Sequence, residues 1–457
     1  MKWVKRLGAF VFALFVAAFG YLLIAPPDLL RVGSNYTAKM VCSNVFTAGR
    51  DADEVLAIDV QAPGHPLLRL MRVNVDRSAR TVEAGIFGFI APGMAVLRGP
   101  GLGCSSLPTL DYADMVAVAL PEKPAQNLDA PWPAGSAVDI PVNETVEAIL
   151  DDEALTGPGM RAVVVVKDGQ IIGERYGDGF SAQTPLLGWS VTKTVTGALI
   201  GRAIREGHVT RDAPITAFDW TDERAGIALS DLMGMATDLT WNEGYGSVSD
   251  VTRMLYLEPD MAGFVASQPV DAQSPEGIGD SFNYSSGTTV LLSSSWQNGF
   301  DDPAAAAAFP YEALFEPLGM ASAVLEMDAA GTYVGSSYMY ATARDWAKFG
   351  QFMRQRGVWN GRSLLPVGYV DWMVTPHSAA DGQYGQGQVW LRAANAWMPG
   401  ANPALPDDGF YMNGHDGQSI SVIPSEDLVV VRLGLTPTDQ IYKVANLVSA
   451  IINATAD

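Results

Sequence analysis

Basic residues are scarce in this 457-residue chain. Its 29 Lys and Arg oppose 50 Asp and Glu, and the formal net charge is −21. A surface of that sign repels the phosphates of nucleic acids and the headgroups of anionic membranes. The composition therefore argues against nucleic-acid binding, and no nucleic-acid partner is predicted. With 48% hydrophobic and 17% charged residues, the chain is long enough and apolar enough for more than one globular unit.

Histidine and cysteine are scarcer still, which removes the common metal-site patterns. The four histidines are scattered, and no H-E-x-x-H, P-loop or dinucleotide-binding motif is present. We therefore predict neither a metal nor a cofactor. The two cysteines, Cys42 and Cys104, have the spacing of neither a zinc site nor a redox C-x-x-C pair. In an exported protein they form a candidate disulfide, and two free buried thiols are the alternative.

One hydrophobic run is long, and it lies at the N-terminus. Leu7–Ala25 is apolar, follows three basic residues and precedes Pro26 and Pro27. As a helix it covers most of a bilayer core, and the basic residues favour a cytoplasmic start with an exported body. We predict that residues 1–30 anchor the protein in the inner membrane, as its only membrane contact, with the body in the periplasm. Ala18–Gly20 is a poor cleavage site, so an uncleaved anchor is favoured over a cleaved signal peptide and a soluble periplasmic product.

Composition divides the remainder into three parts. Residues 31–120 show mostly β-like alternation and predict a small β-rich module, with strands at Met71–Val75 and Thr81–Phe87. Residues 121–141 carry five prolines and little periodicity, which is typical of a linker. Residues 142–457 form the largest part, and we predict that they fold as one domain.

This largest part begins and ends with strand patterns. Asn143 is a candidate helix cap, and residues 162–175 alternate around an Asp-Gly pair, a strong hairpin signal. Further strands are predicted at Ser419–Ile423 and Leu428–Leu433, and a helix over 439–454. Helical patches lie between. The order predicts an α/β (α+β) domain in which one sheet is split by a helical insertion.

A serine and a lysine three residues apart open an apolar helical stretch. Ser190 and Lys193 lie within Gly188–Gly201, and residues three apart on a helix face the same side. A serine is a weak nucleophile until a neighbour removes its proton, and a lysine in a dry pocket is able to do so. The alternative interpretation of Ser190 is a helix cap, since S-x-x-K alone is a weak motif.

Two later stretches contain further candidate active-site residues. Tyr284-Ser285-Ser286-Gly287 lies nearly a hundred residues on, and Asn413–Ser419 opens the late strand. In this order the motifs resemble the serine β-lactamase and penicillin-recognising superfamily, and most of all its class C-related nylon-oligomer (aminohexanoate-dimer) hydrolases and β-lactamase-like esterases. The resemblance runs from about Asn143 to the C-terminus and implies a β-lactamase/transpeptidase-like fold, an antiparallel sheet flanked by helices plus a helical subdomain. Two further stretches support it, Gly335–Tyr338 and Ala343–Trp346.

The resemblance implies roles for individual residues. Ser190 would be the acylated nucleophile, Lys193 its activating partner, and Tyr284 would exchange protons with Ser190 and the leaving group. Which of Lys193 and Tyr284 is the general base stays open, because a buried Lys–Tyr pair shares its proton. The backbone N–H groups of Ser190 and Gln418 would form the oxyanion hole.

The chain departs from the β-lactamase pattern at substrate-binding positions. His415 stands in place of the lysine cation that helps hold the carboxylate of a β-lactam or a D-Ala terminus, and Ser286 in place of an asparagine that binds an acylamino group. Gly417 would let substrate approach the backbone closely. These departures disfavour penicillin recognition and favour a small-molecule ester or linear amide as substrate. A β-lactamase or a D-amino acid peptidase is the alternative.

Two rival interpretations differ in mechanism or in class. Gly188–Thr192 nearly matches a G-x-S-x-G elbow, but its final glycine is missing. A Ser-Asp-His triad is also disfavoured because His415 and Asp416 are adjacent, which on a strand points their side chains apart. The second rival is a non-catalytic sensor or scaffold, against which the complete nucleophile set argues.

Overall fold

A computed structural model describes residues 2–62, 64–111, 115–120, 129–140, 143–271, 277–395, 405–437, 440 and 442–456. Its α-helices are α1 Lys2–Ile24, α2 Asp28–Phe46, α3 Ala52–Val55, α4 Glu144–Asp151, α5 Glu153–Thr156, α6 Thr192–Glu206, α7 Leu229–Met233, α8 Asp250–Leu257, α9 Met261–Ala266, α10 Ser286–Gln297, α11 Pro303–Pro310, α12 Glu316–Leu318, α13 Ala343–Arg354, α14 Tyr369–Met373 and α15 Val444–Thr455. Its strands are β1 Met71–Asp76, β2 Thr81–Ile86, β3 Ile90–Gly99, β4 Gly103–Ser106, β5 Met160–Lys167, β6 Gln170–Tyr176, β7 Leu186–Leu187, β8 Val324–Leu325, β9 Met339–Ala341, β10 Val358–Trp359, β11 Arg362–Ser363, β12 Phe410–Gly414, β13 Gln418–Ile423 and β14 Leu428–Gly434.

The central sheet joins the two ends of the hydrolase region. Its strand order is β12-β13-β14-β5-β6, and every pair is antiparallel. The valines of β5 are buried on both faces of the sheet. Val164 packs in the main core with α13, whereas Val163 and Val165 pack with α4 and α15 on the opposite face. A strand buried on both faces needs a continuous apolar run, which β5 has. The predicted sheet, split by a helical insertion, is confirmed.

The predicted helix cap and hairpin turn at the start of the hydrolase region are also confirmed. The Asn143 side chain accepts hydrogen bonds from the N–H groups of Thr145 and Val146 and so caps α4. Asp168 and Gly169 both have positive φ, as a two-residue hairpin turn between β5 and β6 requires. The last helix begins later than predicted, at the start of α15, and residue 439 lies outside the described residues.

The N-terminal module is less β-rich than predicted. The strand predictions are confirmed, because β1 to β4 form an antiparallel sheet in chain order. The first part of the module, however, is helix α2, which runs to Phe46. This helix packs on β2 and β3 and against α8. Polar residues such as Asn35 and Thr37 are buried along it as well as apolar ones. Burial on almost every side leaves no apolar stripe of helical period, which is why the sequence did not show this helix.

The module shares a buried charge cluster with the hydrolase region. Lys39 of α2 forms an ion pair with Glu326, and both side chains are almost fully buried. Glu326 also accepts hydrogen bonds from Ser43 Oγ at 3.0 Å and from the N–H of Cys104 at 2.8 Å. A buried carboxylate is costly unless its oxygens are satisfied in this way. The cluster therefore ties α2 and β4 to the loop after β8.

The predicted linker is described only over 129–140, and its prolines at 121, 124 and 141 lie outside the described residues. Within the described stretch Trp132 is buried and donates from Nε1 to the carbonyl of Arg344 at 3.2 Å. This tryptophan attaches the segment to the start of α13.

Helix α1 matches the predicted hydrophobic run. It is long and apolar enough to cross a membrane, and none of its most apolar part is buried in the protein. Its second half meets the β2–β3 turn, where the rings of Phe19 and Phe89 lie 6.4 Å apart. Insertion, cleavage and export of this segment stay predictions.

The candidate disulfide is confirmed. Cys42 of α2 and Cys104 of β4 are bonded, with Cα atoms 6.1 Å apart and a sequence separation of 62. Replacing both by alanine removes a cross-link that restricts the unfolded chain, so we expect the free energy of unfolding to fall by about 4 kcal/mol. Urea denaturation of the wild type and the double variant measures the change. An unchanged midpoint would contradict this account of the cross-link.

Candidate active site

Ser190 lies in a short 3-10 turn, Trp189–Val191, that leads directly into α6. Trp189 has a φ of +47°, which is a strained conformation for a bulky residue. Its ring is held by Tyr338 and His415, with centroid distances of 5.9 and 5.8 Å. The surrounding rings fix the turn that presents Ser190 at the start of the helix.

Lys193 follows one turn later and meets Ser190, as its spacing predicts. Its Nζ lies 3.1 Å from Ser190 Oγ, 2.9 Å from Ser286 Oγ and 3.1 Å from the carbonyl oxygen of Ser336. The side chain is 1% exposed. Burial lowers the pKa of Lys193 to about 8, against an opposing effect from the Glu243 carboxylate. About a tenth of this lysine is therefore neutral at pH 7 and able to accept a proton.

The Ser336 carbonyl is a contact that sequence reasoning missed. Its loop packs against α6 and α10 so tightly that a Cβ on Gly335 would lie 2.3 Å from Thr196 Oγ1 and 2.5 Å from Ser293 Oγ. Thr196 Oγ1 in turn donates to the Gly335 carbonyl at 2.8 Å. The motif Gly335–Tyr338, which had served only as a mark of resemblance, thus holds an acceptor for the Lys193 ammonium.

Tyr284 precedes α10 and completes the group around Ser190. Its ring lies beneath Lys193, with Nζ 4.9 Å from the centroid, and packs against Trp390 at 5.1 Å. Burial raises the pKa of Tyr284, and a hydrogen bond to Ser190 opposes that rise. The phenol therefore stays protonated near neutral pH. The three predicted catalytic side chains are brought together.

Ser286 has a different environment from the one expected of a substrate-binding residue. It is fully buried, receives a hydrogen bond from Lys193, and donates from Oγ to Glu243 Oε1 at 2.5 Å. Its backbone N–H donates to Glu243 Oε2 at 2.8 Å. These bonds use the hydroxyl inside the lysine network, so Ser286 positions Lys193, and the prediction that it binds substrate is not supported.

Glu243 is the second residue that the sequence did not reveal. This carboxylate accepts hydrogen bonds from Trp241 Nε1 at 2.6 Å and Tyr245 Oη at 3.1 Å, in addition to those from Ser286. It lies in the loop between α7 and α8, more than forty residues from Ser286. No helical or strand period marks that loop; an acid between two aromatic residues was the only available signal.

Comparison with known proteins identifies the family. The model of the family named Beta-lactamase matches residues 147–440, which is more than half of the chain. The chain belongs to the β-lactamase family. Among the relatives of this β-lactamase family member is the 6-aminohexanoate-dimer hydrolase of Paenarthrobacter ureafaciens, 23% identical over 298 residues that cover 60% of this chain and 72% of that protein.

Solved structures of the family share the fold. A proposed 6-aminohexanoate-dimer hydrolase from Bacillus anthracis has a TM-score of 0.53 and 21% identity, covering 67% of this chain and 79% of that one. A penicillin-binding protein from Bacillus halodurans has a TM-score of 0.51 and 15% identity, covering 67% and 98%. The predicted β-lactamase/transpeptidase-like fold is confirmed.

In this β-lactamase family member, His415–Gly417 form a turn between β12 and β13 and not part of a strand. Asp416 adopts a left-handed φ of +56°, and His415 Nε2 lies 3.3 Å from its Oδ1. The prediction that these adjacent side chains point apart is therefore wrong, because it assumed an extended backbone. The basic group beside Ser190 Oγ is nevertheless Lys193, which favours the lysine mechanism over a triad.

One role assigned to the end of this turn is contradicted, and a second stays a prediction. The backbone N–H of Gln418, predicted to join Ser190 in the oxyanion hole, donates to the carbonyl of His415. Gly417 has a φ of +83°, and a Cβ there would lie 2.8 Å from Arg432 Nη1, which donates to the Gly417 carbonyl. The glycine therefore accommodates the turn and the Arg432 guanidinium, and a close approach by substrate stays a prediction.

Proposed function

We propose that this family member is an exported, membrane-anchored serine hydrolase that cleaves an ester or linear amide bond through an acyl-enzyme on Ser190. The observation that carries the proposal is the 3.1 Å contact between Ser190 Oγ and the buried Lys193, whose pKa is lowered to about 8. The amide hydrolase named among its relatives is consistent with that bond type.

Acylation uses the two buried proton carriers in different ways. Neutral Lys193 accepts the hydroxyl proton of Ser190 while Oγ bonds to the substrate carbonyl carbon. The C–O or C–N bond to the leaving group then breaks, the leaving group takes a proton from Tyr284, and Lys193 returns a proton to Tyr284. The lowered pKa of Lys193 makes the neutral amine available as a base, and Tyr284, whose pKa is raised, is protonated and so carries a proton to donate.

Deacylation repeats the exchange with water. The water oxygen bonds to the acyl carbon as its proton passes to Lys193, and the bond to Ser190 Oγ breaks as Oγ recovers a proton. Ser286 and Glu243 hold the Lys193 ammonium in reach throughout, since Ser286 links the two. The backbone N–H of Ser190, in the turn before α6, is the proposed donor to the oxyanion.

The charges beside the nucleophile disfavour an anionic substrate. Tyr245 and His415 stack at 4.8 Å, and each has a carboxylate partner, Glu243 and Asp416 respectively. A β-lactam carboxylate would meet both negative charges, and no lysine stands at position 415 to offset them.

We therefore expect nitrocefin hydrolysis to be at least about a hundredfold slower, in kcat/KM, than hydrolysis of p-nitrophenyl butyrate. Spectrophotometric assays of both substrates on one preparation measure the ratio. Comparable values would refute the assignment of His415 and its neighbours as features that disfavour β-lactams.

Export and anchoring rest on two separate observations. Helix α1 has the length and apolarity of a membrane span and follows basic residues. The Cys42–Cys104 disulfide suits an oxidising compartment, since such bonds are rare in the cytosol.

A substrate panel tests the proposed reaction. The wild type and Ser190→Ala are assayed on esters, linear amides, D-amino acid peptides and β-lactams, with a fluorophosphonate probe to label the active serine. We expect labelling and turnover of esters or linear amides by the wild type alone. Equal labelling of the two proteins would support the non-catalytic alternative.

A further inference from the structure

A large apolar cavity borders Trp189, the chain neighbour of Ser190, and is not used by the mechanism above. Its volume is about 340 Å³, which is within the range of small-molecule pockets. The first turns of α2 form one wall and residues 64–71 form another; the loop 245–247 and α8 close the third side. Its apolar lining is supplied by Leu29, Leu30, Val32, Leu67, Leu68 and Met71.

The inner end of this cavity borders the turn that carries Ser190. Trp189, the neighbour of Ser190 in the chain, lines it together with His415 and Tyr245. The Tyr245 hydroxyl is 3.1 Å from Glu243, which accepts from Ser286 beside Lys193. An apolar group lying in the cavity would therefore end at Trp189, next to the turn that carries Ser190.

The outer end of the cavity lies next to the hydrophobic helix. Leu29 and Leu30 belong to the first turn of α2, which begins directly after Pro26 and Pro27 at the end of α1. The β2–β3 turn beside α1 presents two further aromatic side chains to solvent, Phe87 and Phe89, each 54% exposed. Exposed aromatic residues at the end of a spanning helix are typical of the membrane interface.

The charge of the protein restricts which membrane lipids could approach this cavity. The net charge of −21 repels anionic headgroups. Asp416 lines the inner end of the cavity, and Tyr245, which also lines it, donates a hydrogen bond to the Glu243 carboxylate. A neutral or zwitterionic headgroup is the one that this surface tolerates.

We propose that the substrate is a long-chain acyl ester or acyl amide of neutral or zwitterionic headgroup, drawn from the membrane surface with its acyl chain in this cavity. The inference rests on the proposed function, because α1 must be in a membrane and Ser190 must be acylated. The chain belongs to the acyl side because the cavity borders Trp189, next to the serine that carries the acyl group. Ser190 Oγ bonds to the acyl carbon, the alcohol or amine leaves with a proton, and water then releases a fatty acid.

Chain-length preference tests the proposal on the full chain in neutral detergent, with p-nitrophenyl decanoate and p-nitrophenyl acetate as probes. We expect the wild type to favour the decanoate in kcat/KM by at least tenfold. Gly33→Leu fills the cavity, since a Cβ at this position points at Met71 and Leu68, and Leu67→Trp fills it from the other wall. Each should lower decanoate turnover at least tenfold and leave acetate turnover within twofold.

Val367→Trp is the matched control, because it adds the same ring at a side chain that is 95% exposed. It should change neither turnover rate. Equal turnover of both esters by the wild type, or equal loss of both in the filled variants, would overturn the cavity assignment. Ser190-dependent acetate turnover would in that case leave the proposed function standing, whereas turnover by Ser190→Ala would refute the proposed function itself.

A vesicle assay tests the entry side. With the decanoate embedded in phosphatidylcholine vesicles, Phe87→Ser together with Phe89→Ser should lower hydrolysis at least fivefold, and acetate hydrolysis in solution should be unchanged. Unchanged hydrolysis of the embedded ester would overturn entry from the membrane.

Discussion

Ser190→Ala is expected to lower kcat/KM for p-nitrophenyl butyrate by at least about a thousandfold, and Lys193→Met to do the same. The first change removes the atom that is acylated. The second removes the base 3.1 Å from it while keeping the volume of a buried side chain. Initial rates and fluorophosphonate labelling of both variants measure the losses.

Spectroscopy checks that these variants are folded, and a matched serine substitution serves as the control for activity. Circular dichroism of both variants should match the wild type. Ser190→Ala should keep its melting temperature because it loses one hydroxyl, whereas Lys193→Met should melt lower because the Ser336 carbonyl loses its donor. Ser295→Ala is a matched substitution, because Ser295 Oγ is bonded to the Leu291 carbonyl within α10, outside the lysine network. It should keep full activity. A variant of Ser190 or Lys193 that folds and still turns over would refute the mechanism.

Activity is expected to rise with pH and to level off above about 8. The reactive form of Lys193 is the neutral amine, and burial lowers its pKa to about 8, so protonation removes the base below that value. Each pH unit below the midpoint should cost about tenfold in kcat/KM, or about a hundredfold at pH 6. Rates of ester hydrolysis from pH 5.5 to 9.5, corrected for spontaneous hydrolysis, give the profile.

Removing the charge of Glu243 is expected to move the midpoint of this pH profile. Its negative charge raises the pKa of Lys193 against the effect of burial, so Glu243→Gln should shift the midpoint to lower pH. The amide has the shape of the carboxylate and keeps one acceptor oxygen for Ser286 Oγ, but it loses the second acceptor, to which the N–H groups of Ser286 and Trp241 donate. Glu147→Gln makes the same change at an exposed partner of Arg175 and should leave the profile in place. A shift to higher pH, or a flat profile in the wild type, would contradict the role of Lys193 as the base.

Features that depend on neighbours in sequence were determined by the sequence itself. The contact between Ser190 and Lys193 follows from helix geometry, which places residues three apart on one face. The β5–β6 hairpin and the Asn143 cap have the same origin, because turn and cap residues act within a few positions. The order of the three motifs was sufficient to indicate the family.

Features that depend on distant segments were decided by the tertiary structure. Glu243 reaches Ser286 across more than forty residues, and the Ser336 carbonyl reaches Lys193 across 143. The left-handed Asp416 turned a predicted strand into a turn, and the Gln418 N–H went to that turn instead of an oxyanion. Such pairings leave no periodicity, because periodicity reports only one element and one face at a time.

The sequence by itself therefore indicated the family, the proposed nucleophile and its lysine, and the strands that frame them. Tertiary packing decided what lowers the pKa of that lysine, which carboxylate opposes the shift, and where the apolar cavity lies. The physical reason is that burial and charge act through space, and the segments that provide them here are brought together only by folding.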